Sequence, residues 1–268
     1  MTYSVTARNF SAASDNKIHS DEIAKKYGFT GALVPGVAVF GHLVHPLVEQ
    51  HGQAWLNRSV SALRLFKPAY HGDSLTIEHD TLSAATAPSA VSWQTDPLTT
   101  VSTAYGRGEL LATLHSQLPE TSPTPFATPE QIGIKPAGRP LMTWESVIPE
   151  QAFPIRQWHI DAEENQRYSK EVADSNPLYA TYAHPHWLLS TANTALVQEF
   201  EMPAWIHVGS ELCIHSAIKV GDTITVNAVP VEKWERKGHQ FVRLYLSYHR
   251  GTELTTEIMH TAIFRIAQ

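Results

Sequence analysis

"FKPAYHGDSLTI" at 66–77 and "HSAIKVGDTITV" at 215–226 are two versions of one pattern, and their recurrence decides how the chain is read. Each carries a Gly-Asp pair, Gly72-Asp73 and Gly221-Asp222, ahead of alternating apolar residues, which is a turn feeding a strand. Upstream, "SDNKIH" at 14–19 lies over "DSNPLY" at 174–179, sharing an asparagine and an aliphatic residue. Between these blocks, Pro35 and Pro185 each precede a helical pattern. Three blocks in the same order in both halves mark an internal repeat.

Working outward, Val37, Phe40, Leu43, Val44, Leu47 and Val48 fall at helical spacing, so residues 36–50 read as a helix able to lay an apolar stripe on a sheet. Pro46 should kink or split that helix. "SVSALRLFKP" and "DSLTIEHDTL" are strand candidates in the first half. "HQFVRLYLSYHR" and "GTELTTEIMHTAIFRI", divided by Arg250-Gly251, predict a long C-terminal hairpin. Pro119, Pro123, Pro125, Pro129, Pro136, Pro140, Pro149 and Pro154 crowd one stretch, which reads as an extended linker over the surface. The expected organisation is therefore a first repeat over 1–118, a linker over 119–154 and a second repeat over 155–268. One helix wrapped by a curved antiparallel sheet, made twice, is an α+β layout.

The 268 residues suffice for a sizeable core, and the formal charge of −6 without a long basic run argues against a nucleic-acid partner. The N-terminus lacks a signal-peptide pattern, and no segment reaches the roughly 20 apolar residues of a membrane span, so a cytoplasmic protein is expected. A single cysteine, Cys213, rules out an internal disulfide framework. Among the 15 histidines, His42 and His45 sit three apart on the helix pattern and "HPH" spans 184–186, but no carboxylate pattern accompanies them and no metal is expected.

These blocks resemble the MaoC-like, R-specific enoyl-thioester hydratase/dehydratase group of the hotdog fold, as a double hotdog covering nearly the whole chain outside the linker. The family motif runs aspartate, any residue, asparagine, proline, aliphatic, histidine, and is followed by the opening of a central helix. The second half matches through Asp174, Asn176, Pro177 and Leu178, with Tyr179 at the histidine position. The first half matches through Asn16, Ile18 and His19, with Ser14 at the aspartate position and Lys17 at the proline. The resemblance implies an acyl thioester of coenzyme A or a carrier protein as substrate and no further cofactor. It makes His19 and Asp174 the candidate acid/base groups, the Gly36 amide the candidate oxyanion donor, and Asn16, Asn176, Tyr179 and Pro35 neighbours of the substrate.

The chemistry explains the residue types. Adding water to a conjugated thioester needs a base for the water and an acid for the adjacent carbon. The thioester oxygen gains negative charge, which the unpaired N–H groups at a helix N-terminus can hold. Neither half keeps a complete Asp/His pair, so His19 and Asp174 share one composite site or stand in two, with Ser14, Asp15 or Asp21 the alternative partners of His19. Asn16 and Asn176 read as loop braces, Asp73 and Asp222 as turn residues. A thioesterase and a non-catalytic acyl-binding protein are the rival functions. A free sheet edge would favour pairing into homodimers.

Overall fold

In a computed structural model, the described residues are 2–83 and 98–267. The first half runs β1 (Thr2–Thr6), α1 (Asp21–Lys26), α2 (Gly36–His51), α3 (Gln53–Asn57), β2 (Ser59–Leu65), β3 (Ser74–Ser83), β4 (Leu98–Gly106) and β5 (Glu109–Gln117). Two short strands, β6 (Gly133–Ile134) and β7 (Gln151–Ala152), pair within the connecting segment. The second half runs β8 (Arg156–His159), α4 (Ala162–Glu171), α5 (Pro185–Glu199), β9 (Ile206–Ile214), β10 (Thr223–Arg236), β11 (His239–Arg250) and β12 (Glu253–Arg265).

Ten of these strands form one antiparallel sheet in the order β1-β3-β4-β5-β2-β9-β12-β11-β10-β8. Read from the middle outward, the two arms have the same connectivity, so the repeat is a pseudo-twofold whose axis passes between β2 and β9. Their register pairs Leu63 with Ser210 and Arg64 with Gly209. A Cβ on Gly209 would lie 2.8 Å from the Leu63 carbonyl oxygen, so glycine allows the two halves to close at this point. The predicted C-terminal hairpin is β11–β12, in register from Arg250–Glu253 to Gln240–Arg265 with two bulges.

The helix α2 is buried along most of its length, with Val37, Phe40, Leu43, Val44, Leu47 and Val48 in one core cluster that also takes Trp187, Leu189 and Leu196 of α5. Each large apolar side chain placed there contributes roughly 1.5–3 kcal/mol. Gly41 lets α2 approach the end of α4, where Val172 Cγ1 would lie 2.7 Å from an added Cβ. No helix among the described residues is long and apolar enough to cross a membrane.

Two expectations are corrected and one is narrowed. Of the kink or split expected at Pro46, the split does not occur, since α2 is continuous from Gly36 to His51. Proline cannot donate to the carbonyl four residues back, that of His42, and the Tyr3 hydroxyl of β1 donates to this oxygen instead, at 2.5 Å. The proline-rich segment does not merely lie over the surface. Met142, Val147 and Phe153 are buried in the main core, and backbone N–H groups of Met142, Glu150 and Phe153 donate to Glu201, Pro230 and Ala228 carbonyls. Pro35 and Pro185 are not equivalents. Val34 N–H donates to Ala69 and Ala183 N–H to Ile218, with flanking bridges Leu33–Tyr70 and Tyr182–Lys219, so Pro35 corresponds to His184 and Gly36 to Pro185.

Replacing Tyr3 by Phe strands the His42 carbonyl inside the structure. The expected cost is about 1–3 kcal/mol, read as a lower denaturation midpoint at unchanged m-value; an unchanged midpoint would refute the compensation of Pro46 by Tyr3.

Candidate active site

Asn16 and Asn176 hold equivalent 3-10 turns, Lys17–His19 and Pro177–Ala180, each accepting from the N–H two residues on, Ile18 and Leu178. Asp73 and Asp222 likewise accept the N–H groups of Tyr70 and Lys219 across their turns. Asn16 also stitches the halves together: its Nδ2 donates to the Trp205 carbonyl at 3.0 Å and its Oδ1 accepts the Trp205 N–H at 3.2 Å.

The turn carries His19 to a cavity of about 270 Å³ lined by Asn16, His19, Pro35, Gly36, Trp205 and His207 together with apolar side chains such as Phe29, Leu65 and Ile263. His19 Nδ1 lies 2.7 Å from the Leu33 carbonyl oxygen. A carbonyl only accepts, so the proton sits on Nδ1 and Nε2 keeps a lone pair. Burial pushes the imidazole below its ordinary value, with the Leu33 carbonyl pulling the other way, so the neutral form prevails near pH 7. None of the suggested local partners reaches it. Asp21 accepts the Ala32 N–H, Asp15 pairs with Arg139, and the Ser14 hydroxyl donates to the Asn16 carbonyl.

The helix α2 begins at this cavity without a side-chain cap. Gly36 and Val37 head it, and their N–H groups have no intrahelical acceptor. A Cβ on Gly36 would come within 2.5 Å of Leu65 Cδ1 and 3.2 Å of His207 Nδ1, so glycine lets both side chains close on the first turn and only a narrow slot separates that turn from the strand β9. A larger groove of about 890 Å³ adjoins, sharing Tyr27, Ile266 and Ala267 with the cavity and containing none of the motif residues.

Asp174 stands elsewhere. Its carboxylate contacts His45 Nδ1 at 3.1 Å and His184 Nε2 at 3.4 Å and accepts the Asn176 N–H at 3.0 Å. His45 lies nine residues beyond Gly36 on α2, about 13 Å along the axis. His19 and Asp174 therefore occupy the two pseudo-equivalent places and share no site. Burial pushes the Asp174 carboxyl up, but the hydrogen bonds from His184, His45 and the Asn176 amide outweigh it and hold the group well below the carboxylate range. The hydrogen bond to Asp174 raises His45, while burial lowers His184. Tyr179, buried with its ring centroid 4.3 Å from that of His184, fills the place that His19 takes in the first half. Asn176 Nδ2 donates to Glu49 at 2.6 Å.

The second helix start is closed. Pro185 has no N–H where Gly36 has one, and the His186 N–H donates to the His184 ring at 3.0 Å. Sequence reasoning missed this closure because it anchored the halves on their prolines. It also missed His207, which stands at the start of β9, a strand that none of the quoted blocks covers.

Comparison with known proteins gives the fold. No family model matches the chain, and no curated protein matches it. A structure described as a MaoC domain protein dehydratase from Chloroflexus aurantiacus superposes with a TM-score of 0.61 at 12% identity, covering 98% of this chain and 94% of that one. A MaoC-like dehydratase gives 0.59 at 13% identity over 98% and 97%. A conserved Mycobacterium tuberculosis protein with a double hotdog fold gives 0.56 at 14% identity over 98% and 95%. The chain has the double hotdog fold.

Asp174→Asn removes the charge and one of the two acceptor oxygens that serve His45 and His184. Asp174, held low, contributes stability that is present above the unfolded value of 3.8 and lost as pH falls. His45, held high, contributes below the unfolded value of 6.5 and loses it as pH rises through the raised value. The variant should unfold at lower temperature, by about 1–3 kcal/mol at its worst, with the deficit against wild type largest between pH 3.8 and 6.5. A deficit independent of pH would contradict this pairing.

Proposed function

We propose that this protein catalyses the reversible hydration of a 2-enoyl thioester carried on coenzyme A or a carrier-protein pantetheine, with His19 as the single acid/base group. The observation that carries the reading is the neutral His19, whose Nε2 lone pair accepts, among the described residues, only a long 3.4 Å contact from Asn16 Nδ2, in a largely apolar cavity that also contains the uncapped start of α2. In the forward direction, His19 Nε2 takes a proton from water as the oxygen bonds to C3 of the enoyl group. The electron pair of the double bond moves through C2 to the thioester oxygen, which accepts the Gly36 N–H. The Nε2–H just formed then returns its proton to C2, and the thioester carbonyl reforms. The Leu33 carbonyl on Nδ1–H steadies the imidazolium between the two transfers. Asn16 orients the turn that carries His19, and the groove past Tyr27 gives the pantetheine arm a path to solvent.

One feature favours addition of water over cleavage of the thioester, and a second confines the chemistry to one half. No carboxylate lines the cavity among the described residues, so none is placed to direct water at the carbonyl carbon. Equally, Pro185 and the capped His186 amide leave the second helix without the donors an oxyanion needs, which restricts the chemistry to the first half.

The test follows loss of enoyl absorbance with crotonyl- and longer 2-enoyl-pantetheine thioesters while thiol release is monitored in parallel. Wild type should consume the enoyl band without free thiol. His19→Ala should lose about 10²–10⁴-fold in kcat, whereas Asp174→Asn, once its lower stability is allowed for, should keep turnover within a few-fold. Because the base must be neutral and burial lowers its pKa, kcat/KM should fall only below pH 6.5. Thiol release that accompanies loss of the band would replace this reading with a thioesterase.

Gly36→Ala should fold and lose at least tenfold in kcat/KM, since the added methyl fills the slot beside Leu65 and His207. Activity equal to wild type would place the oxygen elsewhere.

A further inference from the structure

His207 belongs to β9 of the second half yet borders the slot at Gly36 of the first. Its ring is almost fully buried, and its Nδ1, which has no hydrogen-bond partner among the described residues, lies 3.2 Å from the place a Gly36 Cβ would take. An orphaned ring nitrogen in such a place is costly unless a ligand satisfies it. The Trp205 indole N–H, a donor only, is also buried without a partner, and Trp205 lines the same cavity. Two unsatisfied polar atoms on residues that line one cavity mark a place for a polar ligand atom.

Behind His207 lies a short relay. Its Nε2 is 2.9 Å from Ser210 Oγ, and Ser210 Oγ is 3.0 Å from His260 Nδ1. The two imidazoles stack with centroids 4.3 Å apart. Burial takes His207 down to about 3, with a backbone hydrogen bond to Gly209 pulling the other way, and takes His260 well below its ordinary value, so both rings are neutral with one N–H each. One hydroxyl has one proton, so Ser210 can donate to only one ring and accept from the other. Two arrangements of the same three protons result. In one, Ser210 donates to His260 and His207 donates to Ser210, which leaves Nδ1 bare toward the slot. In the other, His260 donates to Ser210, Ser210 donates to His207 Nε2, and His207 presents Nδ1–H to the slot.

We infer that His207 is a second donor to the thioester oxygen, paired with the Gly36 N–H, and that Ser210 and His260 are positioning residues that hold its Nδ1–H tautomer when a carbonyl oxygen is bound. This assignment rests on the proposed thioester chemistry for its catalytic consequence but not for its binding consequence. A carbonyl oxygen accepts from Nδ1–H and repels a bare Nδ1 lone pair, so the ligand selects the second arrangement. The donor comes from the opposite repeat to His19, which makes the site a product of both halves although its acid/base group comes from one.

The test uses butyryl-dethia-pantetheine, in which methylene replaces sulfur. It keeps the carbonyl and can be neither hydrated nor hydrolysed. Long-range ¹H–¹⁵N spectra of the imidazoles of the intact protein report the tautomer of His207, assigned by the loss of its signals in His207→Leu. Saturation with the analogue should leave His207 as Nδ1–H, and Ser210→Ala should weaken that preference. In turnover assays, His207→Leu should lower kcat about 10²-fold with KM changed less than about 3-fold, and His207→Asn, whose amide can donate from near the Nδ1 position, should recover at least about tenfold of the loss. His207 remaining Nε2–H at saturation, no binding of the analogue at millimolar concentration, or unchanged kcat in a folded His207→Leu would each overturn the inference. If His207→Leu does not fold, the wild-type spectra decide it, with assignment taken from His260→Gln. A shift to Nδ1–H in a protein that turns over no enoyl thioester would remove the hydration reading and leave the carbonyl site standing.

Discussion

The pairing of β2 with β9 is the contact on which the other features of this molecule depend. It joins two five-stranded arms into one sheet, and it does so without a side chain at Gly209, where the Leu63 carbonyl comes too close for a Cβ. Because the strands are antiparallel about a pseudo-twofold, the beginning of β9 is carried past the end of β2 to the start of α2. Trp205 thereby meets Asn16, and His207 meets Gly36. A slip of one residue at this seam would turn every side chain of β9 to the other face and dismantle the cavity.

The two halves differ in opposite senses around that axis. The first keeps an open helix start, a glycine in its first turn and a histidine whose Nε2 meets, among the described residues, only the Asn16 amide, at 3.4 Å. The second keeps the acid but surrounds it with His45, His184 and the Asn176 amide, and its helix start is sealed by Pro185 and the His184 ring. An ionised carboxylate with three donors is well satisfied and contributes to holding the fold. It is poorly suited to taking a proton, since its hydrogen bonds stabilise the charged form. The polar residues at corresponding places of the two halves thus stand in two settings, one lining a cavity and the other bracing the fold.

Burial of neutral histidines recurs throughout this arrangement. His19, His184, His186, His207 and His260 all have imidazoles pushed toward the neutral form, in each case chiefly by desolvation. Where a carbonyl accepts from one nitrogen, as Leu33 does for His19, the other nitrogen is assigned as the acceptor. Where a hydroxyl stands between two rings, as Ser210 does, the assignment is left to what enters the cavity.

The repeat, its strand-turn-strand blocks, the central helix and the asparagine-capped turns were legible in the sequence, because each is encoded by neighbours: a period of two or 3.6, a Gly-Asp turn, an Asn whose oxygen reaches the N–H two residues on. That His19 and Gly36 come to one place was implied the same way, through a motif of local spacing, and both line one cavity. What the sequence left open was decided by partners far apart along the chain. The separation of His19 from Asp174, the Tyr3 hydroxyl that replaces the bond Pro46 cannot make, the equivalence of Gly36 with Pro185, and His207 beside the helix start all depend on sheet register. Register is set by the sum of burial across ten strands, and no short stretch of residues contains that sum.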